Sequence, residues 1–402
     1  MHLIRKIIFA LSIILAFNNL FGQTTFIGGG GNNNWDTPAN WTAGIPTSAD
    51  DVIIASGVTL DVNVNGECAS ITFDSNNANS LLSINTGITL NISGDINFSN
   101  PSADNFSQTI AVSDGNLICS SIRMTNNTNN TRNNFLSLNN GTISATGSIV
   151  MLGAAGENNV SVSGTGTINI GDSFSGGSFT YGNSTINYNG TIDQTIYNYN
   201  YYNLRVQNSG LKSLRANTNI YGNLIIDGVL NLSGYYARLV TGGDIQTNTS
   251  FGSSAMIDFQ SGGYIWLDGT TNTNYEIIYP TGYGATYSPF EITSISGTDL
   301  NGDLYIRLYD IKHPLTNGIN NAITRYWEIS TAGLTITSTT GYFTYDDADV
   351  QAPITEGNLT MRGRLDGSGW QTNEAGTNYN HTLNQLTLTG VSTLEGSWTL
   401  GE

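Results

Sequence analysis

The sequence predicts an all-β protein in which a right-handed parallel β-helix, a form of β-solenoid, precedes an antiparallel β-sandwich. Three observations carry this prediction. The 402 residues include 47 Gly and only 11% are charged, against about 25% in average domains. Residues that favour helices are scarce, whereas Thr, Ile, Val, Tyr, Asn and Gly, which favour strands and turns, are plentiful. A repeat of about 25 residues runs through the first two thirds of the chain and then stops.

Residues 1–22 have the pattern of a signal peptide. Arg5 and Lys6 precede an apolar run that is too short to span a bilayer. We expect cleavage near Gly22 and an exported mature chain with no transmembrane segment. Loss of the two basic residues changes the formal net charge from −17 to −19. So strong a negative field repels nucleic acid and anionic lipid, so we expect no nucleic-acid partner.

Residues 23–275 are predicted to form the β-solenoid, with a cap at its N-terminus. A glycine precedes a short apolar strand at Gly57, Gly87, Gly115, Gly141, Gly166 and Gly190. A second strand follows in most repeats, and its Ile shares one face with the Phe or Met two residues later. These second strands are Ser70–Phe73, Asp95–Phe98, Ser121–Met124, Ser148–Met151 and Asp172–Phe174. A unit of this size cannot close a core alone, so neighbouring coils must share their burial.

The two cysteines test the register of the repeat. Cys68 and Cys119 occupy equivalent places that are separated by one full coil. Two coil spacings of about 9.6 Å exceed the roughly 7 Å limit between the Cα atoms of a disulfide. We therefore predict two free thiols, whereas a register shifted by one coil would permit a bridge.

Residues 276–402 are predicted to form a separate, immunoglobulin-like β-sandwich. The period is lost after about Glu276, and short strands separated by turn residues follow. The predicted strands are Glu276–Tyr279, Phe290–Ile295, Leu304–Tyr309, Ile323–Ile329, Leu334–Thr337, Tyr342–Tyr345, Leu359–Arg364, Gln385–Gly390 and Gly396–Leu400. We expect Trp327, Trp370 and Trp398 to anchor the core or an edge of this module.

Loose motifs along the chain resemble secreted and cell-surface adhesin-like β-solenoid proteins of Bacteroidetes-type bacteria. The opening motif is Trp35, Asn40-Trp41, Gly44, Pro46 and Asp50–Ile54, and Tyr201–Val206 with Gly222–Ile226 resembles the repeat unit of the same proteins. Arg325–Ile329 and the terminal Ser397–Glu402 are similar to their sandwich module. The resemblance implies export, surface display and an adhesive or matrix role.

Members of this family usually continue into a C-terminal sorting domain, whereas this chain stops at Glu402. That difference leaves three alternative expectations. Either the reading frame is truncated, or the protein crosses the outer membrane by another route, or it stays in the periplasm.

Three tyrosines form the candidate contact surface of the solenoid. Tyr197, Tyr199 and Tyr201 have the opposite parity to Ile192, Ile196, Tyr202, Leu204 and Val206. If the latter set faces the core, the three tyrosines face outward, where they can stack on sugar rings or on a partner. The competing interpretation is a tyrosine-rich corner that covers one edge of a coil.

Residues for catalysis are few. Outside the signal peptide only His313 and His381 could serve imidazole chemistry, and each is isolated in the sequence. Parallel β-helices also carry polysaccharide lyases, but no cluster of Asp or Glu accompanies the basic residues of the solenoid. A chance pair of carboxylates for glycoside hydrolysis stays open.

Two acidic segments are weak calcium candidates. Asp346, Asp347 and Asp349 crowd three carboxylates into four residues, and a solvated acidic loop is the competing interpretation. Asp299–Asp310 resembles a calcium loop, but Leu304 stands where such a loop needs Gly, so we expect a turn at its Asn-Gly pair. We therefore expect no cofactor, with Ca²⁺ as the one alternative.

Two classes of function follow from these observations. The first is a non-enzymatic secreted or surface-displayed structural protein of adhesin type that binds glycan, matrix or other cells. The second is a carbohydrate-active β-helix protein, either a polysaccharide lyase or a hydrolase.

Overall fold

The computed structural model describes residues 22–75, 77–125, 131–153, 157–240, 242–269, 275–316, 322–359, 361–366, 369–371 and 376–402. It confirms the all-β fold class, with parallel coils and an antiparallel sandwich. The helices of the described residues are four short 3-10 turns, Pro38–Asn40, Pro314–Thr316, Asp347–Asp349 and Glu356–Asn358. Among these residues no helix has the length and apolar character needed to cross a membrane. The predicted signal peptide lies almost wholly outside the described residues.

The contacts of the chain divide it into two compact units. Unit 1 comprises the described residues up to Ile168 together with Ser175–Gly182, and unit 2 comprises Asn169–Phe174 and Asn183–Glu402. Two strands, Thr167–Ile170 and Phe174–Gly176, contain residues of both units. The sequence boundary at residues 275 and 276, drawn from the loss of the repeat, falls within unit 2.

Unit 1 is built from three parallel sheets, and the chain passes from one sheet to the next within each coil. Sheet A contains Gly22–Phe26, Asp50–Ile54, Ser70–Phe73, Ile96–Phe98, Ile122–Met124 and Ile149–Met151. Sheet B contains Thr59–Val62, Ser80–Ile84, Ser107–Val112, Asn133–Leu138, Asn158–Val162 and Ser178–Thr180. Sheet C contains Gly66–Cys68, Thr89–Ile92, Asn116–Cys119 and Thr142–Ala145.

The core of unit 1 is a set of columns of identical or similar side chains. Ile71, Ile96, Ile122 and Ile149 lie opposite one another in successive strands of sheet A, and all four are fully buried. This register confirms the predicted second strand and its inward face. The spacing between successive members is 25 to 27 residues, so one sequence repeat corresponds to one coil.

The glycine repeat is right for the middle coils and wrong at its two ends. Leu90 after Gly87 lies opposite Gly66 in sheet C, whereas Leu60 after Gly57 lies opposite Leu82 in sheet B. A glycine can stand at the tight corner before any of the three sheets. Equal spacing between glycines therefore does not prove that the strands after them belong to the same sheet. Ile192 after Gly190 is 56% exposed and lies at a corner rather than in a strand.

One corner column shows why glycine is required there. A Cβ atom on Gly141 would lie 2.1 Å from the backbone oxygen of Gly115 in the coil before it. The backbones of stacked corners therefore touch, and a side chain at this place would push the coils apart.

Amide side chains form a buried polar column at the start of sheet B. Asn134 donates to Asn158 Oδ1 at 2.8 Å, and Asn158 donates to the backbone oxygen of Thr125 at 2.9 Å. Gln108 reaches the backbone oxygen of Asp74 at 2.9 Å. These amides satisfy carbonyl groups that the corners remove from the ladders.

Both cysteines are buried and free, which confirms the prediction of two thiols. Cys68 lies opposite Ile92, and Ile118 lies opposite the preceding Asn91, so one coil separates Cys68 from Cys119. Burial, with a smaller contribution from nearby carboxylates, raises the pKa of each thiol to about 12.

Unit 2 begins with shorter coils. Sheet D contains Thr185–Tyr188, Asn203–Gln207, Leu224–Asp227 and Ile245–Gln246. Sheet E contains Gln194–Ile196, Lys212–Leu214, Val229–Asn231, Met256–Asp258, Thr281–Tyr283 and Thr286–Tyr287, the last pairing antiparallel. Ile186, Leu204, Leu224 and Ile245 form one inward column with spacings of 18, 20 and 21 residues. The uneven spacing explains why the repeat is less regular in this part of the sequence.

A buried lysine holds one corner of these coils together. The ammonium group of Lys212 donates to four backbone oxygens, those of Gly190 at 2.8 Å, Ile192 at 3.2 Å, Ser209 at 3.0 Å and Gly210 at 3.0 Å. The residue is fully buried, and this burial lowers its pKa against the opposing effect of Asp193. One cation thus satisfies carbonyls from two successive coils.

The third sheet of unit 2 changes from parallel to antiparallel pairing. Sheet F contains, in spatial order, Thr218–Ile220, Tyr236–Leu239, Tyr264–Leu267, Asp303–Tyr309, Tyr326–Ala332, Gly396–Gly401, Met361–Asp366 and Gly369–Gln371. Pairing is parallel up to Tyr264–Leu267 and antiparallel from there onward. The last coil of the solenoid therefore shares a sheet with the sandwich.

Sheet G completes the sandwich. It contains Ile278–Tyr279, Phe290–Asp299, Thr335–Thr344, Gln385–Val391 and Thr377–Asn380, all antiparallel. The ring of Phe343 lies 5.1 Å from Trp327 and 5.7 Å from Trp398 of sheet F, between ring centroids. The core positions of these two tryptophans confirm the prediction, and the side chain of Trp370 lies outside the described residues.

Two strands predicted separately, at 334–337 and 342–345, are one strand, Thr335–Thr344. Gly341 lies in this strand, between the two predicted segments. It stands beside a register shift, where a Cβ atom would meet the backbone oxygen of Glu291 at 2.1 Å. Glycine inside a strand often marks such a bulge.

Replacing Ile149 with Asp tests whether the coils of unit 1 unfold together. The carboxylate would be buried in the isoleucine column, so we expect a loss of about 3–5 kcal/mol in the free energy of unfolding. Hydrogen exchange should accelerate over several coils at once. Val150→Asp, on the outward face of the same strand, should cost less than about 1 kcal/mol. Exchange confined to a single loop in Ile149→Asp would contradict a cooperative stack.

The thiols should be inert in the folded protein. The thiolate is the reactive form, and the raised pKa leaves almost none of it near neutral pH. A disulfide reagent should label neither cysteine before denaturation and both afterwards. Because the folded pKa exceeds the unfolded value of about 8.5, their contribution to stability falls as the pH rises above that value. Rapid labelling of the native chain would show that the coils around Cys68 or Cys119 open readily.

Lys212→Met should destabilise unit 2 by about 2–4 kcal/mol, because it leaves four corner carbonyls without their donor. Arg215→Met removes an exposed cation nearby and is the matched control, with an expected loss below about 1 kcal/mol. Chemical denaturation of both variants measures the difference. Equal losses would mean that the carbonyls find water instead.

Candidate functional site

The outward side of sheet F carries a group of partly exposed aromatic side chains that contact one another. Along its strands, inward residues such as Ile265, Leu267 and Ile306 are fully buried. The residues between them point outward and remain partly exposed. We call one outward group the aromatic face: Tyr236, Arg238, Tyr264, Trp266, Tyr305 and Arg307.

Strand register places the members of the aromatic face side by side. Tyr236 lies opposite Tyr264, and Arg238 lies opposite Trp266, in the parallel part of the sheet. Trp266 lies opposite Tyr305 across the antiparallel pair. The residues of the last solenoid coils and the first sandwich strand therefore form one surface within unit 2.

The rings of the aromatic face touch one another. Ring centroids are 5.3 Å apart for Tyr236 and Tyr264, and 5.4 Å apart for Tyr236 and Trp266. They are 5.8 Å apart for Tyr264 and Tyr305, and 5.5 Å for Trp266 and Tyr305. Contacts at these distances favour fixed ring positions, so the surface is ordered before any ligand arrives.

Two arginines extend the aromatic surface, and each is paired with a carboxylate. The guanidinium of Arg238 lies 4.0 Å above the Trp266 ring and forms an ion pair with Asp268. Arg307 lies 5.0 Å above Tyr264, with its guanidinium 3.8 Å from Glu328. The face is therefore polar and aromatic but carries little net charge.

The hydroxyl of Tyr305 keeps its proton at neutral pH and acts as a hydrogen-bond donor. It donates to Asp303 Oδ2 at 2.9 Å. Burial, together with this bond to a carboxylate, raises the pKa of Tyr305 to about 12. The phenol stays protonated throughout the neutral range.

Two donors beneath the surface lack an acceptor in the described part of the chain. Trp266 Nε1 and Arg238 Nε are buried without a hydrogen-bond partner. An unsatisfied buried donor costs about 1–3 kcal/mol. Both donors lie beneath the surface, out of reach of a ligand that rests on the rings.

A cavity of about 250 Å³ opens beside the rings. It is lined by Tyr264, Tyr305, Arg307, Glu328 and Ser330. Aromatic walls with a carboxylate, a guanidinium and a hydroxyl can hold the apolar face of a sugar ring while bonding its hydroxyl groups.

The three tyrosines predicted to face outward do not form that surface. Tyr201 is fully buried, so its predicted exposure is wrong, whereas Tyr197 and Tyr199 are partly exposed. The Tyr201 hydroxyl donates to the backbone oxygen of Tyr197 at 2.7 Å. It also lies 3.1 Å from the hydroxyl of Tyr188. Burial raises the pKa of Tyr188 to about 12.

The reason for this error is a bend between two sheets. The backbone N–H of Tyr199 bonds the oxygen of Tyr197 at 2.9 Å, which turns the chain before Tyr201 joins sheet F beside Ile220. Parity counted from Ile192 therefore does not carry through to Tyr201. The competing interpretation, a tyrosine-rich corner, describes this segment better.

The acidic calcium candidates have protein partners. Asp349 is buried and accepts two hydrogen bonds from Arg325, at 2.5 Å and 2.9 Å. Asp346 caps the 3-10 turn that follows it, and Asp347 accepts from Asn384. No group of three or more His, Cys, Asp or Glu side chains in the described ranges is arranged to hold a metal ion.

Within the calcium-like segment Asp299–Asp310, the chain turns at the Asn-Gly pair, as expected, and then enters the strand Asp303–Tyr309. Asn301 donates its backbone N–H to Asp299 Oδ1 at 3.0 Å. The turn leads from sheet G to sheet F, so its flanking strands do not pair as a hairpin. Asp310 at its end pairs with Arg325 at 3.0 Å.

Neither histidine belongs to the aromatic face. His313 is buried, with its ring 4.6 Å from that of Tyr326, and burial lowers its pKa despite the opposing effect of Glu328. The ring of His381 lies 5.7 Å from that of Tyr379. The structure does not bring the two together.

Sequence reasoning missed the aromatic face, although part of its signal was present. Tyr264 and Trp266 alternate with two aliphatic residues, and Tyr305 and Arg307 alternate in the same way. Parity alone would have placed each pair outward. The pairing between these two strands was hidden, because the predicted domain boundary lay between them.

No family model, curated protein or solved structure matches the chain. The resemblance to adhesin-like proteins therefore stays an expectation from the sequence.

Proposed function

We propose that the protein is a non-enzymatic, secreted or surface-displayed adhesin-like protein that binds glycan on matrix or on other cells. The aromatic face is its contact site. The observation that carries the proposal is the set of four touching rings on the outward side of one continuous sheet.

The chemistry of the aromatic face favours a sugar over other ligands. Partly exposed rings with one polar edge suit ligands that have both apolar and hydroxyl-bearing surfaces. Glu328 and Ser330 supply acceptors and a donor at the margin of the rings. Nucleic acid is disfavoured, because the chain has a formal net charge of −17 and both arginines of the face are paired with carboxylates.

The scaffold supports binding by holding the rings still. Each ring projects from a strand that is hydrogen-bonded on both sides, and the inward neighbours of the rings are buried in the core. A site built on such strands loses little conformational freedom when a ligand binds. This suits a protein whose role is attachment.

Export is the second part of the proposal. It is supported by the basic and apolar pattern of residues 1–22 and by the adhesin-like motifs of the sequence. Surface display would bring the aromatic face into contact with polysaccharides outside the cell.

Trp266→Ala combined with Tyr305→Ala should weaken glycan binding at least tenfold, because loss of each stacked ring removes about 1–2 kcal/mol. Binding of the wild-type chain and the variant to a panel of immobilised polysaccharides measures this loss. Tyr202→Ser removes a partly exposed tyrosine outside the face and should bind as the wild type does. Circular dichroism melting should confirm that all three proteins fold.

Reducing-end and unsaturated-product assays on the same polysaccharides test the enzymatic alternative. The adhesin proposal expects binding without product release. Product release that survives dialysis and purification would assign the protein to the carbohydrate-active class. Equal binding by the double variant and the wild type would remove the aromatic face from the function.

A further inference from the structure

The cavity beside the aromatic face is the first of four that adjoin one another in unit 2. It shares Tyr264 and Arg307 with a second cavity of about 420 Å³. The second shares Gln260 with a third of about 370 Å³. The third shares Asn208, Ser209 and Ser254 with a fourth of about 650 Å³. We call this series the groove.

We propose that the groove binds a linear, uncharged polysaccharide, with one segment on the aromatic face and successive sugar units in the other cavities. The inference rests on the proposed function, that the aromatic face binds glycan. It adds the class of glycan and the path that the chain takes.

Size is the first reason for a chain rather than a single sugar. Pockets for ligands of several rings have volumes of about 300–1,000 Å³. Three of the four cavities reach that range individually, and neighbouring cavities share walls. A monosaccharide on the aromatic face would leave most of the groove empty.

The corner between sheets E and F lets a chain pass from the first cavity toward the third. Gly234 and Gly262 are stacked there, with φ values of +84° and +78°. A Cβ atom on Gly262 would meet only the Cα atom of Gly234, at 3.9 Å. Because neither glycine has a side chain, the second cavity is not obstructed at this corner.

Charge is the reason for an uncharged ligand. Asp258 in the third cavity accepts hydrogen bonds from Asn231 at 2.8 Å and from the backbone of Gln260 and Gly284 at 2.9 Å. Asp227 in the fourth cavity pairs with Arg205 at 2.7 Å. The charged groups of the groove are thus bonded within the protein, as are the arginines of the aromatic face.

The remaining lining suits sugar hydroxyl groups. Thr249, Ser250 and Ser254 line the fourth cavity, and the exposed Gln260 stands between the second and third. Hydroxyl and amide groups both donate and accept hydrogen bonds, as sugar hydroxyls do. A polyanionic chain would find no unpaired cation here and would be repelled by the net charge of the protein.

The test is the dependence of affinity on oligosaccharide length. The probes are neutral cello-, xylo- and manno-oligosaccharides, from disaccharide to octasaccharide, measured by isothermal titration calorimetry. We expect the affinity for at least one series to rise tenfold or more between the disaccharide and the hexasaccharide. The matching uronate series should bind more weakly at equal length.

Two variants locate the gain in the groove. Ser254→Trp and Gln260→Trp introduce large side chains at exposed positions where cavities meet. Each should abolish the gain from chain length and leave disaccharide binding unchanged, whereas Trp266→Ala should weaken both. Ser253→Trp is the matched control, because Ser253 is an exposed neighbour that lines none of the four cavities, and it should behave as the wild type. Melting curves identify any variant that fails to fold.

The outcomes separate this inference from the proposed function. The groove proposal is overturned if affinity does not depend on oligosaccharide length, or if the gain with length survives both blocking variants. In either case, binding that still depends on Trp266 supports the adhesin proposal. Tighter binding of the uronate series overturns an uncharged ligand. Failure of the wild-type chain to bind any neutral or acidic glycan overturns both proposals.

Discussion

The solenoid depends on one constraint, which is that no single coil can form a hydrophobic core by itself. Each strand of a coil buries between one and three side chains, and these pack against the equivalent side chains of the coils on either side. The column of Ile71, Ile96, Ile122 and Ile149 shows this in its simplest form. A shift by one residue would turn each of them to solvent, so the inward columns fix the register of every strand.

The same rule builds the aromatic face without any further device. Once the inward residues of neighbouring strands are aligned, their outward residues must also stand side by side, about 4.8 Å apart. Tyr236 and Tyr264 meet because Ala237 and Ile265 are paired in the core. The antiparallel strand Asp303–Tyr309 then joins the last coil and adds Tyr305 and Arg307 to the row. The sandwich thereby extends a surface that the solenoid began.

Sequence patterns predicted the features that depend on neighbouring residues and missed those that depend on pairing between distant strands. The isoleucine column, the free thiols and the core positions of Trp327 and Trp398 follow from alternation within strands and from coil spacing, and each is confirmed. Alternation cannot be carried around a corner, so Tyr201 was placed on the wrong side. Spacing cannot say which sheet a glycine precedes, so Gly57 and Gly190 were wrongly aligned. The pairing of Trp266 with Tyr305 links residues far apart in sequence, and no local pattern reveals it.

The charges of unit 2 follow one pattern, which also bears on function. Few residues are charged, and four cations of unit 2 are used within the structure. Lys212 donates to a ring of carbonyls, Arg325 binds Asp349, and Arg238 and Arg307 cover aromatic rings beside carboxylates. Arginine suits the last role because its planar group stacks on a ring and still bonds a carboxylate at its edge. A surface of this kind attracts little by long-range charge. Under the proposed function, its affinity comes from ring contact and hydrogen bonds formed over a length of ligand, so that many weak sugar contacts together hold one surface to another.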